Sequence, residues 1–211
     1  MHRFAAVRPC RPPESALSLS GAAAQWVHMD GPGITSADVA VGELDTPVGR
    51  ISVTVTEAGL AKLSWVGRQD GPNPSTTPDH QRLAPVLTQL TDYFDGLRHD
   101  FDLPLDWRHT HGSQQDVLKS LHATVTYGRS VTYGELATRS RTGVPARGIG
   151  AIMGSNPIPI VVPCHRVLAH DGLGGYSGGS GRNGLEVKRW LLTLEGVLPP
   201  TFDWNPRQLE S

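Results

Sequence analysis

The chain has 211 residues, a formal net charge of −1 and 38% hydrophobic side chains, a composition typical of one or two compact globular domains. Its two cysteines, 154 positions apart, exclude a disulfide framework and favour a reducing compartment, and no Cys/His spacing matches a structural zinc site. No apolar stretch reaches the length of a membrane span. We expect a cytoplasmic protein that uses no membrane, metal or cofactor, with a disordered extension over residues 1–36.

The first half of the chain predicts a small sheet followed by a helix. In "ADVAVGELDTPVGRISVTVTEAGLAKLSWVG" (37–67), alternating β-branched residues and turns at "TPVG" and "AG" predict a β-meander. Apolar residues at helical spacing over residues 82–97 predict an amphipathic helix, and the prolines of "HDFDLPLDWRH" (99–109) predict an extended segment. We therefore expect an N-terminal α/β domain over residues 37–108.

The second half predicts a mostly helical domain over residues 109–198, followed by a proline-rich tail over residues 199–211. A helix is expected at 113–125, and "VTYGELATRS" (131–140) begins with the Thr132 and Glu135 pair of a capping box. A tight Gly/Pro turn and the short helix "ARGIGAIMGSN" (146–156) complete a helix-turn-helix, and "GLEVKRWLLTLE" (184–195) is a last amphipathic helix. The fold class is therefore α+β.

The second cysteine lies in "NPIPIVVPCHRVLAHDGLGGYSGG" (156–179), after an apolar run that we expect to be a strand with prolines that prevent central pairing. A lone cysteine is most often an inert buried thiol. However, His165 follows Cys164 at once, and a nucleophilic thiolate needs a base or cation nearby. Because neighbours on a strand face opposite ways, His165 can be the base only if the chain turns here or a water connects the two side chains. The residues alone leave both roles open.

Two motifs carry a resemblance to a known family. "PCHRV" (163–167), followed by "GGYSGG" (174–179), resembles the active-site signature of methylated-DNA–protein-cysteine methyltransferases, the O6-alkylguanine-DNA alkyltransferases. The similarity extends over roughly residues 38–198, where "TPVG", "QLTDYFDG", "FDLPLD", "VTYGELA" and "KRWLLTLEG" also resemble the family. "SGRNG" (180–184) departs from its pattern as an insertion. The resemblance implies an RNase H-like N-terminal domain and a winged-helix-like, helix-turn-helix C-terminal domain.

The resemblance also implies catalytic roles. Cys164 is the alkyl acceptor, kept anionic by the neighbouring imidazole. His165 takes the thiol proton through a water, and Glu195 orients the ring. Asn156 braces the turn beside the thiol, and Tyr133 donates a proton to the departing guanine. Taken singly, Glu195 could instead be a surface charge and Tyr133 a core aromatic; the ordered set favours the functional roles.

The remaining implied residues contact the substrate. Tyr176, Ser177 and Val167 shape the base pocket, although Ser177 alone could be a turn hydroxyl. Arg147 fills the gap left in the duplex when a base is flipped out, or is one more solvated arginine. The other DNA-binding residues are Ala146, Gly150 and Thr132. Small residues around one arginine suit close approach to a minor groove without base-specific contacts.

These roles predict a repair protein that acts as a monomer on double-stranded DNA. It would transfer the alkyl group of O6-alkylguanine, and of O4-alkylthymine, to Cys164 irreversibly and once per molecule. The alternatives are an alkyltransferase-like protein that binds lesions without transfer, a transcription regulator and a cysteine hydrolase. The acceptor cysteine argues against the first, and the small-residue helix disfavours the second. A hydrolase would need an oxyanion hole and would turn over.

Overall fold

The computed structural model describes residues 39–67, 79–179 and 183–200, which all belong to one compact unit, Ile34–Ser211. The predicted extension over residues 1–36 lies outside the described residues, as do residues 201–211 of the tail and residues 180–182 of the inserted "SGRNG". Within the described part the fold is α+β, as predicted, with an antiparallel sheet and a helix followed by a mostly helical region.

The predicted meander is confirmed as β1 (Val39–Thr46), β2 (Gly49–Thr56) and β3 (Gly59–Trp65), paired antiparallel in the order β1-β2-β3. Alternating residues of β2 and β3 enter the core because successive side chains of a strand face opposite sides. The predicted extended segment over residues 99–109 lies beside β3, where the Leu60 amide donates to the Pro104 carbonyl (2.8 Å).

One helix, α1 (His80–Phe94), packs on this sheet with an apolar face that includes Leu83, Leu90 and Tyr93. It ends earlier than predicted, since Asp95 is the C-cap and Gly96 takes a left-handed conformation (φ 71°). The Leu97 amide then turns back to the Asp92 carbonyl (2.8 Å), which closes the helix end. Leu97 is 78% exposed, so its place in the apolar face was wrong.

The second half is mostly helical, as predicted. Thr132 Oγ1 accepts from the Glu135 amide (3.2 Å), and the Glu135 carboxylate accepts from the Thr132 amide (2.7 Å), which confirms the capping box. Among the described residues, no helix has the length and apolar character needed to cross a membrane. The elements are α2 (Gly112–Thr124), β4 (Val131–Thr132), α3 (Tyr133–Ser140), α4 (Ala146–Gly154), β5 (Val167–Leu168) and α5 (Gly184–Leu194).

The prediction of a strand before the thiol is wrong. Residues 158–163 form no strand, only an isolated bridge between Pro159 and Val162, and Ile160 has a left-handed backbone (φ 75°). Prolines have no backbone N–H for a strand ladder, and the Asn156 side chain makes hydrogen bonds to two backbone groups of this segment in place of a neighbouring strand. Its Nδ2 donates to the Val162 carbonyl (2.8 Å), and its Oδ1 accepts from the Ile158 amide (3.0 Å). The segment is thus a buried loop shaped by one amide side chain.

Candidate active site

The thiol lies at the start of a 3-10 turn, Cys164–Arg166, and Cys164 is only 4% exposed. The turn is closed by the Arg166 amide, which donates to the Pro163 carbonyl (2.9 Å). Because this backbone is not extended, Cys164 and His165 need not face opposite sides, and both are buried. Of the two arrangements that the sequence left open, the chain therefore turns.

Two adjoining cavities reach the thiol. One of about 410 Å³ lies against the helix-turn-helix, and the other, of about 340 Å³, lies against β3 and includes Asn156. These volumes are in the range of small-molecule sites. The first cavity brings together most of the residues predicted to contact base and DNA, namely Tyr133, Ala146, Arg147, Gly150, Tyr176 and Ser177, with Cys164.

Behind the thiol, His165 is held by a carboxylate. Its Nε2 lies 2.8 Å from Glu195 Oε1, and both residues are buried. An ionised carboxylate can only accept, so Nε2 carries the ring proton and Nδ1 keeps a free lone pair. Nδ1 is buried and has no hydrogen-bond partner among the described residues. Burial lowers the pKa of His165, and Glu195 only partly offsets this, so the ring is neutral and can act as a base.

Glu195 is the centre of a buried hydrogen-bond network. Arg166 Nε donates to Oε2 (2.8 Å) and Nη2 to Oε1 (2.9 Å), and the Tyr93 hydroxyl also donates to Oε1 (2.7 Å). Burial disfavours the charged carboxylate, but His165 and Arg166 outweigh it and lower the pKa of Glu195 to about 2. The carboxylate therefore stays ionised at neutral pH, and its charge is available to stabilise an imidazolium.

A lysine of α5 lies close enough to the thiol to affect its charge. Lys188 on α5 is fully buried, and its Nζ donates to the carbonyls of Val167 (2.6 Å), Leu173 (2.5 Å) and Gly175 (3.2 Å). These three bonds connect β5 to the glycine-rich loop, and Gly175 of that loop lines the cavity against the helix-turn-helix. Burial lowers the pKa of Lys188 to about 8, and the charge that Cys164 carries when it ionises opposes this shift.

The expectation that the thiol is kept anionic stays a prediction, and the burial of the thiol works against it. Burial raises the pKa of Cys164, and a hydrogen bond with Asn156 and the charge of Lys188 offset this only in part. The raised thiol pKa and the lowered imidazole pKa both favour the neutral forms of Cys164 and His165 in the free protein.

Comparison with known proteins gives two consecutive matches. Residues 40–107 match the family model of the ribonuclease-like domain of 6-O-methylguanine DNA methyltransferase, and residues 112–197 match that of its DNA binding domain. The two matches together cover well over half of the 211 residues.

The chain belongs to the 6-O-methylguanine DNA methyltransferase family.

Relatives in this family are similar over most of their length. The methylated-DNA–protein-cysteine methyltransferase of Rattus norvegicus is 35% identical over 73% of this chain and 80% of its own, and that of Mycobacterium bovis is 38% identical over 74% and 92%. The crystal structure of Mycobacterium tuberculosis O6-methylguanine methyltransferase has a TM-score of 0.64 at 36% identity, covering 77% of this chain and 96% of that one. A structure of Mycobacterium tuberculosis OGT in complex with DNA has a TM-score of 0.65 at 36% identity, covering 75% and 93%.

Two of the residues that the family resemblance assigned to contact with base or DNA lie away from the cavities. Thr132 caps α3, and Val167 is a fully buried residue of β5 that pairs with Val131 of β4. Neither lines either of the two cavities described above.

Three side chains of the site were not predicted from the sequence. They are Tyr93, Arg166 and Lys188, and all three are buried. Tyr93 and Arg166 donate hydrogen bonds to Glu195, and Lys188 donates to the Val167 carbonyl, three residues after the thiol. A signal existed for Lys188, because it lies four residues after Gly184 and seven before Glu195, on the apolar face of the last helix. A charged residue on such a face needs a buried partner, which marks it as a candidate for function.

Proposed function

We propose that this protein repairs DNA by transferring the alkyl group of O6-alkylguanine, and of O4-alkylthymine, to its own Cys164. The observation that carries the proposal is a buried thiol that lines a cavity and is followed at once by a histidine. The Nε2 atom of this histidine is hydrogen-bonded to the Glu195 carboxylate (2.8 Å). A nucleophile, a base and an orienting acid in this order form an activated nucleophile. Family membership supports alkyl transfer as its use.

In the proposed reaction the thiol proton moves to His165 Nδ1. Nδ1 is buried and free to accept, and a bridging water is the usual partner of such an atom. As the proton leaves, Cys164 Sγ attacks the alkyl carbon, an S–C bond forms, and the bond between that carbon and the purine oxygen breaks. Glu195 stabilises the imidazolium, and Lys188 stabilises the developing thiolate.

The electron pair of the broken bond passes to the guanine, which needs a proton to leave as a neutral base. Tyr133 lines the cavity, and burial raises its pKa, so its hydroxyl keeps the proton at neutral pH. We assign Tyr133 as the donor. The thioether product is stable to water, and Cys164 is the only cysteine within the described residues. Each molecule therefore reacts once.

Reaching this cavity requires the base to leave the duplex, at a cost of a few kcal/mol in stacking and pairing. Helix α4 supports a minor-groove approach, since Ala146 and Arg147 are exposed and Gly148 and Gly150 add no bulk. Arg147 can occupy the space left by the flipped base. The related Mycobacterium tuberculosis structure in complex with DNA supports duplex DNA as the partner.

Domain organisation, oligomeric state and location complete the proposal. We assign residues 37–108 and 109–198 as two domains, which the two consecutive family matches support. We assign the protein as a monomer, because the side chains of a single chain suffice for the proposed reaction. A cytoplasmic location suits a chemistry that needs a reduced thiol.

The experiment uses duplex DNA carrying tritium-labelled O6-methylguanine, with Cys164→Ser as the matched control. The proposal predicts that label moves to the protein, to no more than one methyl group per molecule, and that the control takes up none. Binding of the lesion duplex without transfer by the wild-type protein would instead identify an alkyltransferase-like lesion-binding protein. Release of label beyond one equivalent would indicate a turnover enzyme.

A further inference from the structure

A tyrosine from the first half of the chain reaches the carboxylate behind the thiol. Tyr93 belongs to the last turn of α1, 102 positions before Glu195, and its hydroxyl donates to Glu195 Oε1 (2.7 Å). Both residues are buried, and the Tyr93 side chain is fully enclosed. A buried donor on a buried carboxylate is among the stronger hydrogen bonds of a protein interior.

The ring that carries this hydroxyl is fixed on several sides by aromatic side chains. Its centroid lies 5.4 Å from Phe94, 5.3 Å from Phe101 and 6.3 Å from Tyr127. These are favourable edge-to-face or tilted distances, so the ring has little freedom to turn away. The hydroxyl is therefore positioned by the core of the first half of the chain and aims at a fixed point.

The Tyr93 hydroxyl adds an anchor outside the short turn that carries the other donors. Arg166 and His165 are adjacent residues of one short turn, so their bonds to Glu195 alone would let the three groups tilt together. The Arg166 Nη1 bond to the Val125 carbonyl (2.7 Å) ties this group to the end of α2. The Tyr93 hydroxyl ties the carboxylate itself to α1.

We propose that Tyr93 is a positioning residue of the transfer reaction: its hydroxyl holds Glu195 Oε1 opposite His165 Nε2 and carries part of the carboxylate charge. The inference rests on the proposed function. It makes the helix of the first half part of the reaction machinery, although it contributes no side chain to the cavity against the helix-turn-helix.

The proposal predicts the direction in which loss of the Tyr93 hydroxyl shifts the pKa of His165. Without the phenol, Glu195 keeps its charge through Arg166 and accepts more strongly from His165, so the imidazolium is favoured up to a higher pH. His165 would then lose its role as a base over a wider acidic range, and looser geometry would slow the step. The other titratable or charged groups around this pair are Cys164, Tyr127, Tyr176 and Lys188.

The test compares Tyr93→Phe with Tyr127→Phe in single-turnover transfer from an O6-methylguanine duplex across pH. Tyr127 is a matched control, because its hydroxyl lies in the same aromatic cluster but donates to the Leu194 carbonyl (2.9 Å). We expect Tyr93→Phe to slow transfer by about tenfold, the lower end of the loss seen when a group hydrogen-bonded to a metal ligand is removed from a metalloenzyme. The acidic limb of its pH–rate profile should move up by roughly half a unit, while Tyr127→Phe keeps the wild-type limb.

The amplitude of each single-turnover trace reports the folded, competent fraction, so a variant that folds poorly still yields a rate constant. A Tyr93→Phe profile that matches the wild type, or an equal shift in Tyr127→Phe, would overturn the inference. A wild-type protein that transfers no methyl group would overturn the proposed function instead, so the two failures are distinguishable.

Discussion

Replacing the Glu195 carboxylate by an amide, Glu195→Gln, is the sharpest perturbation of the site because it changes charge and hydrogen bonding but hardly changes shape. Glu195 is 4% exposed and accepts hydrogen bonds from Tyr93, His165 and Arg166. An amide nitrogen can only donate, so at least one of these donors loses its acceptor. The Arg166 guanidinium, 6% exposed, would remain buried without a counter-charge.

Two routes give the size of the stability loss. Removing one partner of a buried ion pair costs about 3–5 kcal/mol. Independently, the shift of the Glu195 pKa from 4.5 to about 2 corresponds to about 3 kcal/mol of stability from the ionised form. We therefore expect Glu195→Gln to lower the free energy of unfolding by about 3 kcal/mol at neutral pH.

The reaction should suffer more than the fold. If the amide donates to His165 Nε2, the ring proton moves to Nδ1, and the nitrogen that takes the thiol proton in the proposed reaction can no longer accept. The wrong tautomer costs about 10⁴-fold in rate in Ser-His-Asp triads, which share this nucleophile–base–carboxylate order. The acid dependence should also change. A depressed carboxylate pKa stabilises the fold above about pH 4.5, and this contribution is lost as pH falls toward about 2; Glu195→Gln should lack it.

The assays are urea unfolding between about pH 2 and pH 7 and single-turnover transfer from an O6-methylguanine duplex at neutral pH. Glu186→Gln is the control, since it makes the same change at an exposed position in the first turn of the same helix. If Glu195→Gln unfolded like Glu186→Gln and transferred within tenfold of the wild-type rate, the role given to this carboxylate would be refuted.

Three further outcomes are expected. Lys188→Met should raise the pKa of the Cys164 thiol, measured from the pH dependence of its alkylation by iodoacetamide, and should slow single-turnover transfer by roughly tenfold or more. Arg147→Ala should weaken binding to lesion duplex by roughly tenfold with no change in melting temperature, whereas Arg50→Ala, an exposed arginine of the sheet, should bind like wild type. Gly59→Ala should destabilise the fold by about 3 kcal/mol or more, because its Cβ would overlap a backbone carbonyl at a positive φ. Gly67→Ala, also at positive φ but in open space, should cost about 1 kcal/mol by urea unfolding.

Local sequence patterns predicted the elements whose cause is local. The meander follows from alternating residues and short turns, and the start of α3 follows from the Thr132 and Glu135 pair. The strand before the thiol was mispredicted because an apolar run with prolines has no periodicity of its own. Its shape is set by the Asn156 side chain, which bonds to backbone groups two and six residues away.

The site divides in the same way. Cys164 and His165 are visible in a short motif, and α5 places Lys188 and Glu195 on one buried face that the sequence could have revealed. Tyr93 could not be predicted, because an aromatic residue on the apolar face of a helix usually serves packing alone. Its partner lies 102 positions away, and only the folded chain brings the two together.

The central claim is that the sulfur of Cys164 takes and keeps the alkyl group. The direct measurement is mass spectrometry of the intact protein and of its peptides after reaction with excess O6-methylguanine duplex. The account predicts that every competent molecule gains one methyl group in place of the thiol hydrogen, located on the peptide that contains Cys164. An unmodified Cys164 after the lesion has been restored to guanine would contradict it.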